Sequence, residues 1–150
     1  MDADDLRAMR APLDDMDVKL RRILSTVRSI ALVGASPKSE RPSHEVMRFL
    51  QSKGYRVHPV NPGIAGQVLL GERVHAMLKD IPEPVDMVDL FRASASIPPF
   101  VDDAIDIGAK VVWMQLGVRH EAAAARAEAA GLDVVMDRCP KIEFVRLGLP

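Results

Sequence analysis

Ser29-Ile-Ala-Leu-Val-Gly-Ala-Ser36, followed by Pro37-Lys-Ser-Glu-Arg-Pro-Ser43, is the stretch whose reading decides the fold. Ile30 to Val33 form a short apolar run rich in β-branched residues, the pattern of a strand buried on both faces. Gly34 ends the run where the backbone can turn tightly and approach a ligand. Small residues (Ala35, Ser36) and two cations (Lys38, Arg41) follow, and a helical pattern begins near Ser43. A strand, a glycine turn and a helix N-terminus bring orphan N–H groups and the helix dipole to one place. The loop therefore predicts an anion site for a phosphate-bearing ligand. An ordinary βα turn would use the same residues, and the loop alone does not choose between the two.

Upstream, Leu13, Met16, Leu20, Ile23, Leu24 and Val27 recur at helical spacing. Asp14, Asp15 and Asp17 come early and Lys19, Arg21, Arg22 and Arg28 late, an order that complements a helix dipole. Residues 1–12, polar and closed by Pro12, read as a flexible tail, leaving 13–150 as the folded domain. Downstream, Val46, Met47, Phe49 and Leu50 mark a helix stopped at Lys53-Gly54. Tyr55 to Val60 reads as a second strand closed by Asn61-Pro62-Gly63. Residues 64–82 resist assignment, with a short edge strand in Val68–Leu70 and the following Gly71–Val74, and a short helix over His75–Lys79, as the expectation. Strands at Val85–Leu90, Lys110–Met114 and Leu132–Met136 then alternate with helices at Ile97–Ile107, Arg119–Ala130 and Asp137–Leu147. Strands alternating with helices through short loops predict a single α/β domain, doubly wound and Rossmann-like, with a parallel sheet covered by helices on both faces.

Composition narrows the function. A net charge of −1 gives no electrostatic case for nucleic acid or a membrane surface, and 4% aromatics leave little for base stacking. No apolar run approaches the roughly 20 residues that span a bilayer. The acidic start, Met1-Asp-Ala-Asp-Asp5, is the opposite of a secretory leader, so a cytoplasmic protein is expected. One cysteine excludes an internal disulfide framework and any CxxC motif.

Parallel sheets bind ligands outside the carboxyl ends of their strands. The strands here end in Gly34-Ala35-Ser36, Asn61-Pro62, Phe91-Arg92, Gln115-Leu116-Gly117 and Asp137-Arg138-Cys139. Polar or conformationally special residues thus gather at one edge. A dinucleotide fingerprint would need Gly-x-Gly-x-x-Gly, whereas this loop has only Gly34, and Asn61 stands where a ribose-binding carboxylate is expected. No P-loop is present either. Lys38, Arg41 and Arg92 suit a ligand with several phosphates.

Val33-Gly-Ala-Ser36, Arg41-Pro-Ser43, Val60-Asn-Pro62, Val85-Asp-x-Val-Asp-x-Phe-Arg92, Trp113-Met-Gln-Leu-Gly-Val118 and Asp137-Arg-Cys-Pro-Lys-Ile-Glu143 resemble, in matching order over about residues 13–147, the small single-domain CoA-binding proteins of bacteria. Their domain resembles the N-terminal CoA-binding domain of the succinyl-CoA synthetase α subunit. The resemblance implies coenzyme A or an acyl-CoA as ligand. It places Gly34, Ala35 and Ser36 at the pyrophosphate, and Lys38, Arg41 and Ser43 on phosphate charge. Asn61 and Pro62 would border the adenosine, Phe91 and Arg92 would line the cleft, and Gln115 and Gly117 would meet the pantetheine arm. The synthetase also needs a phosphorylated-histidine domain and a partner subunit, for which this chain is too short. The expectation is a carrier, a sensor or an accessory module, alone, as a homo-oligomer or beside an acyl-CoA enzyme. A small NAD(P)-dependent oxidoreductase, or an interaction domain that has lost its ligand, are the alternatives.

No catalytic constellation is visible. Cys139 could meet the CoA thiol, although a lone cysteine before proline is more commonly packed. Asp137 reads as a helix N-cap before it reads as a general base. Lys141 and Glu143 suit capping or pairing at the last helix, and Trp113 and Met114 suit the core. His44, His58, His75 and His120 are not spaced as metal ligands; His44 at a helix start could touch phosphate, although exposure is the simpler expectation.

Overall fold

Five strands pair in the order β2-β1-β5-β6-β7 in a computed structural model that describes residues 14–150. They are β1 (Ser29–Val33), β2 (Arg56–Val60), β5 (Met87–Leu90), β6 (Val111–Met114) and β7 (Asp133–Val135), and every neighbouring pair is parallel. The tail expected over residues 1–12 lies outside the described residues. Apart from Ser29, Arg56 and Asp133, every residue of these strands is buried, which is why β1 and β6 read as continuous apolar runs and not as alternating ones.

Among the described residues, five helices cover both faces. α1 (Asp15–Thr26), α2 (Pro42–Ser52) and α5 (Pro140–Arg146) pack against Leu32, Met87 and Trp113 on one face. α3 (Ile97–Asp106) and α4 (Glu121–Ala129) pack against Val33, Val88 and Met114 on the other. α1 begins where its charges said it would: the Asp14 carboxylate accepts from the Asp17 N–H at 2.7 Å. The alanines of α4 let it sit close, with Ala123, Ala124 and Ala127 all buried.

The segment 64–82 departs from expectation. Val68–Leu69 (β3) and Glu72–Arg73 (β4) form a separate antiparallel hairpin and not an edge strand of the main sheet. The expected helix near 75–79 is a single 3₁₀ turn at Leu78–Asp80. Three prolines between residues 59 and 82 and the Leu70-Gly71 turn, both at positive φ, leave no room for longer elements. Among the described residues, no helix is long and apolar enough to cross a membrane.

The topology fixes where a ligand can go. After β1 the chain moves outward to β2, then returns to the other side of β1 for β5. The order reverses between β1 and β5, and a crevice opens at their carboxyl ends.

Candidate functional site

The crevice is closed from beneath by the loop after β1. The Gly34 and Ala35 N–H groups donate to the Val60 carbonyl at 2.9 and 3.3 Å, and the Phe91 N–H donates to the Val33 carbonyl at 2.9 Å. Gly34 has φ +91°, and a Cβ there would meet the Phe91 carbonyl oxygen at 2.3 Å. Only glycine lets β1 and the Phe91 backbone come this close. Asn61 holds the next turn of the loop: its amide donates to the Ala35 carbonyl at 2.8 Å and accepts from the Gly63 N–H at 2.8 Å. Asn61 is therefore consumed by the scaffold, and no carboxylate takes the ribose-binding place of a dinucleotide site.

α2 starts over this loop with Arg41 at the N-cap position and no side-chain cap, and Pro42 supplies no N–H. The Ser43 N–H and hydroxyl have no partner among the described residues. They sit at the positive end of the helix dipole. The Ser36 hydroxyl accepts from the Lys38 N–H at 3.2 Å, which leaves its own hydrogen free to donate. Lys38 and Arg41 are exposed, and neither forms an ion pair among the described residues. Together with Gly34, Ala35, Asn61 and Phe91 these groups enclose a cavity of about 410 Å³. Its chemistry is that of an anion cradle: backbone and hydroxyl donors below, two free cations at the mouth.

His44, for which exposure is the simpler expectation, is buried. Its Nε2 lies 3.3 Å from Arg48 Nη2 and its Nδ1 2.9 Å from the Ser36 carbonyl oxygen. A guanidinium can only donate, so Nε2 accepts and Nδ1 carries the proton given to Ser36. The ring ties α2 to the loop. No spacing rule would have found this; the signal is only that a helix packed over a loop buries a residue of its first turn.

A second cavity, about 360 Å³, shares the Pro42 and Phe91 wall and continues between Arg92, Ala93, Gln115, Leu116 and Val118. Arg92 lines this cavity and not the one beside Lys38 and Arg41, its guanidinium 5.8 Å from the centre of the Phe100 ring. Pro62 and Gly117 line neither cavity. Pro62 opens a 3₁₀ turn that leads the chain away. Gly117 shapes the loop after β6 at φ +79°, and its N–H donates to Asp137 Oδ1 at 2.7 Å. Asp137 is thus neither the N-cap of α5, a position held by Cys139, nor placed in either cavity. At φ 58° it braces the 115–117 loop.

The remaining candidates have structural posts. Cys139 is packed in the core. Lys141 Nζ lies 2.5 Å from Glu45, and Glu143 pairs with Arg138 at 3.1 Å and Arg146 at 2.7 Å. Trp113 is fully buried, its indole N–H donating to the Arg138 carbonyl at 2.8 Å. The His120 ring caps α4. No metal-binding cluster occurs among the described residues. Asp89 is the unusual core residue. It is fully buried between Leu32 and Trp113, neither carboxyl oxygen has a partner, and burial pushes its carboxyl well above the usual carboxylate range.

Residues 28–145 match the family model described as the CoA binding domain. The chain is 36% identical over 124 residues to the uncharacterized protein YneT of Bacillus subtilis, covering 83% of this chain and 90% of that one. A solved hypothetical protein from Pyrococcus horikoshii is 41% identical with a TM-score of 0.84, covering 92% of this chain and 96% of the other. The dinucleotide-forming acetyl-coenzyme A synthetase 1 of Ca. Korarchaeum cryptofilum, solved with phosphate and ADP, is 26% identical with a TM-score of 0.65. There 77% of this chain covers 26% of that enzyme. On the match across residues 28–145 and the fold it accompanies, the chain belongs to the CoA-binding domain family.

Proposed function

We propose that the protein binds coenzyme A or an acyl-CoA across the carboxyl edge of its sheet and serves as a carrier, sensor or accessory module, without chemistry of its own. One observation carries the reading: an uncapped helix N-terminus, Ser43 and two unpaired cations converge on the Gly34–Ser36 loop. The diphosphate would lie over Ala35 and Ser36, with Lys38 and Arg41 on its oxygens. Phe91, the wall common to both cavities, would guide the arm toward Gln115. The likeness to about a quarter of an acetyl-coenzyme A synthetase supports a module that works beside a separate enzyme. The internal use of both ends of the Asn61 amide speaks against a nicotinamide dinucleotide.

Calorimetric titration of the protein with CoA, acetyl-CoA, ADP and NAD in parallel tests this. CoA species and ADP are expected to bind, and NAD is not. A preference for NAD would replace the reading with an oxidoreductase. Silence from all four would replace it with an interaction domain that has lost its ligand.

A further inference from the structure

The two halves of the cleft are built for different chemistry. Lys38, Arg41 and the α2 N-terminus face the first, whereas Ala93, Leu116 and Val118 give the second an apolar lining. Arg92, the cation at this end, is drawn over Phe100. Leu116 stands 54% exposed at the rim, an aliphatic side chain left in water. Gln115 is only 6% exposed, and its Oε1 is sealed from solvent with no donor among the described residues. A buried acceptor without a donor is costly, and a ligand N–H would relieve it. The rim is not slack: Asp137 holds Gly117, and the Ser94 hydroxyl, 3.4 Å from the Gly117 carbonyl oxygen, accepts from the Arg119 N–H at 3.0 Å.

We propose that this second cavity takes the acyl group of a CoA thioester, so that the protein prefers a short-chain acyl-CoA to free CoA. The inference rests on the coenzyme A reading above. With the phosphates fixed at Lys38 and Arg41, the ligand's arm passes the Phe91 wall. A turn of the Gln115 amide brings Oε1 to the arm's amide N–H nearest the sulfur. The sulfur and its acyl chain then lie against Leu116 and Val118, where each added methylene leaves water. An acyl group of a few carbons suits an apolar chamber of about 360 Å³ that also admits the end of the arm.

Calorimetry with ADP, CoA, acetyl-CoA, propionyl-CoA and butyryl-CoA tests the proposal on wild type and Leu116→Ser. Affinity is expected to rise about twofold to fourfold per methylene from acetyl to butyryl in the wild type. Leu116→Ser should flatten that rise while ADP binds as before, which also reports a folded variant. Equal affinity for CoA and butyryl-CoA, with ADP still bound, overturns the acyl site and leaves the coenzyme A reading standing. A rise that survives Leu116→Ser overturns its location. Failure of ADP and every thioester to bind removes the coenzyme A reading, and this proposal with it.

Discussion

The carbonyl oxygen of Phe91 occupies the space where a side chain on Gly34 would begin, 2.3 Å from an ideal Cβ. Strands β1 and β5 reach this contact just as the sheet order reverses, so the floor of the cleft is made by two backbones in touch. Gly34→Ala forces the alanine into a left-handed conformation and against backbone that cannot yield. It is expected to cost about 2–4 kcal/mol in urea unfolding and to abolish ADP binding. Gly54→Ala is the control. It has a similar φ, +93°, with nothing within 4 Å, and should cost only about 1–2 kcal/mol and leave binding alone. Equal losses at the two sites would contradict the close approach.

The two cations at the loop differ from the one farther along. Arg41→Ala should weaken CoA binding by about 1–3 kcal/mol without changing the unfolding midpoint, because Arg41 is exposed and pairs with nothing among the described residues. Arg92→Ala should cost less than about 1 kcal/mol, since its guanidinium rests on Phe100 in the apolar half. Titrations of both variants decide the matter: a larger loss at Arg92 would move the phosphates toward the second cavity.

His44 should matter through the loop and not through its own charge. His44→Ala removes the donor to the Ser36 carbonyl and is expected to cost about 1–3 kcal/mol of stability and weaken ADP binding. His44→Asn carries an amide N–H near the position of Nδ1 and should recover most of both. If asparagine recovers stability but not affinity, the ring itself touches the ligand.

Asp89 should make the protein less stable as the pH rises. Its carboxyl stays protonated in the fold, while in the unfolded chain it ionises near the ordinary value of about 3.9. Above that pH the folded state holds the extra proton. The stabilisation present in acid is then lost, by up to about 1.4 kcal/mol per pH unit, until the folded group also ionises. Urea midpoints from pH 4 to 7 should fall more steeply for wild type than for Asp89→Asn, which cannot ionise. Parallel slopes would mean that Asp89 is paired in solution.

Much of this was written locally. The continuous apolar runs at 30–33 and 111–114 announce strands buried on both faces, and the helix stop at Lys53-Gly54 falls where the sequence puts it. Four of the five strand ends border the two adjoining cavities through Gly34, Ser36, Asn61, Phe91 and Gln115, whereas Asp137, Arg138 and Cys139 line neither. What stayed hidden depends on contacts across the fold. The burial of His44 comes from its meeting with Ser36, and the burial of Asp89 from its place between Leu32 and Trp113. The role of Asp137 depends on a loop 20 residues earlier in the chain. The hairpin at 68–73 was blurred because two-residue strands are too short to show a period.

Arg41, finally, sits where most helices keep an aspartate, asparagine or serine. The molecule forgoes a cap worth about 0.5–2 kcal/mol and leaves α2 open at the one end that faces the cleft. Arg41→Asp should therefore raise the melting temperature of the free protein and, in the same stroke, extinguish its affinity for anions. Selection for a sturdier fold would push this position toward the very residue that destroys the site, so endurance and recognition are opposed at Arg41.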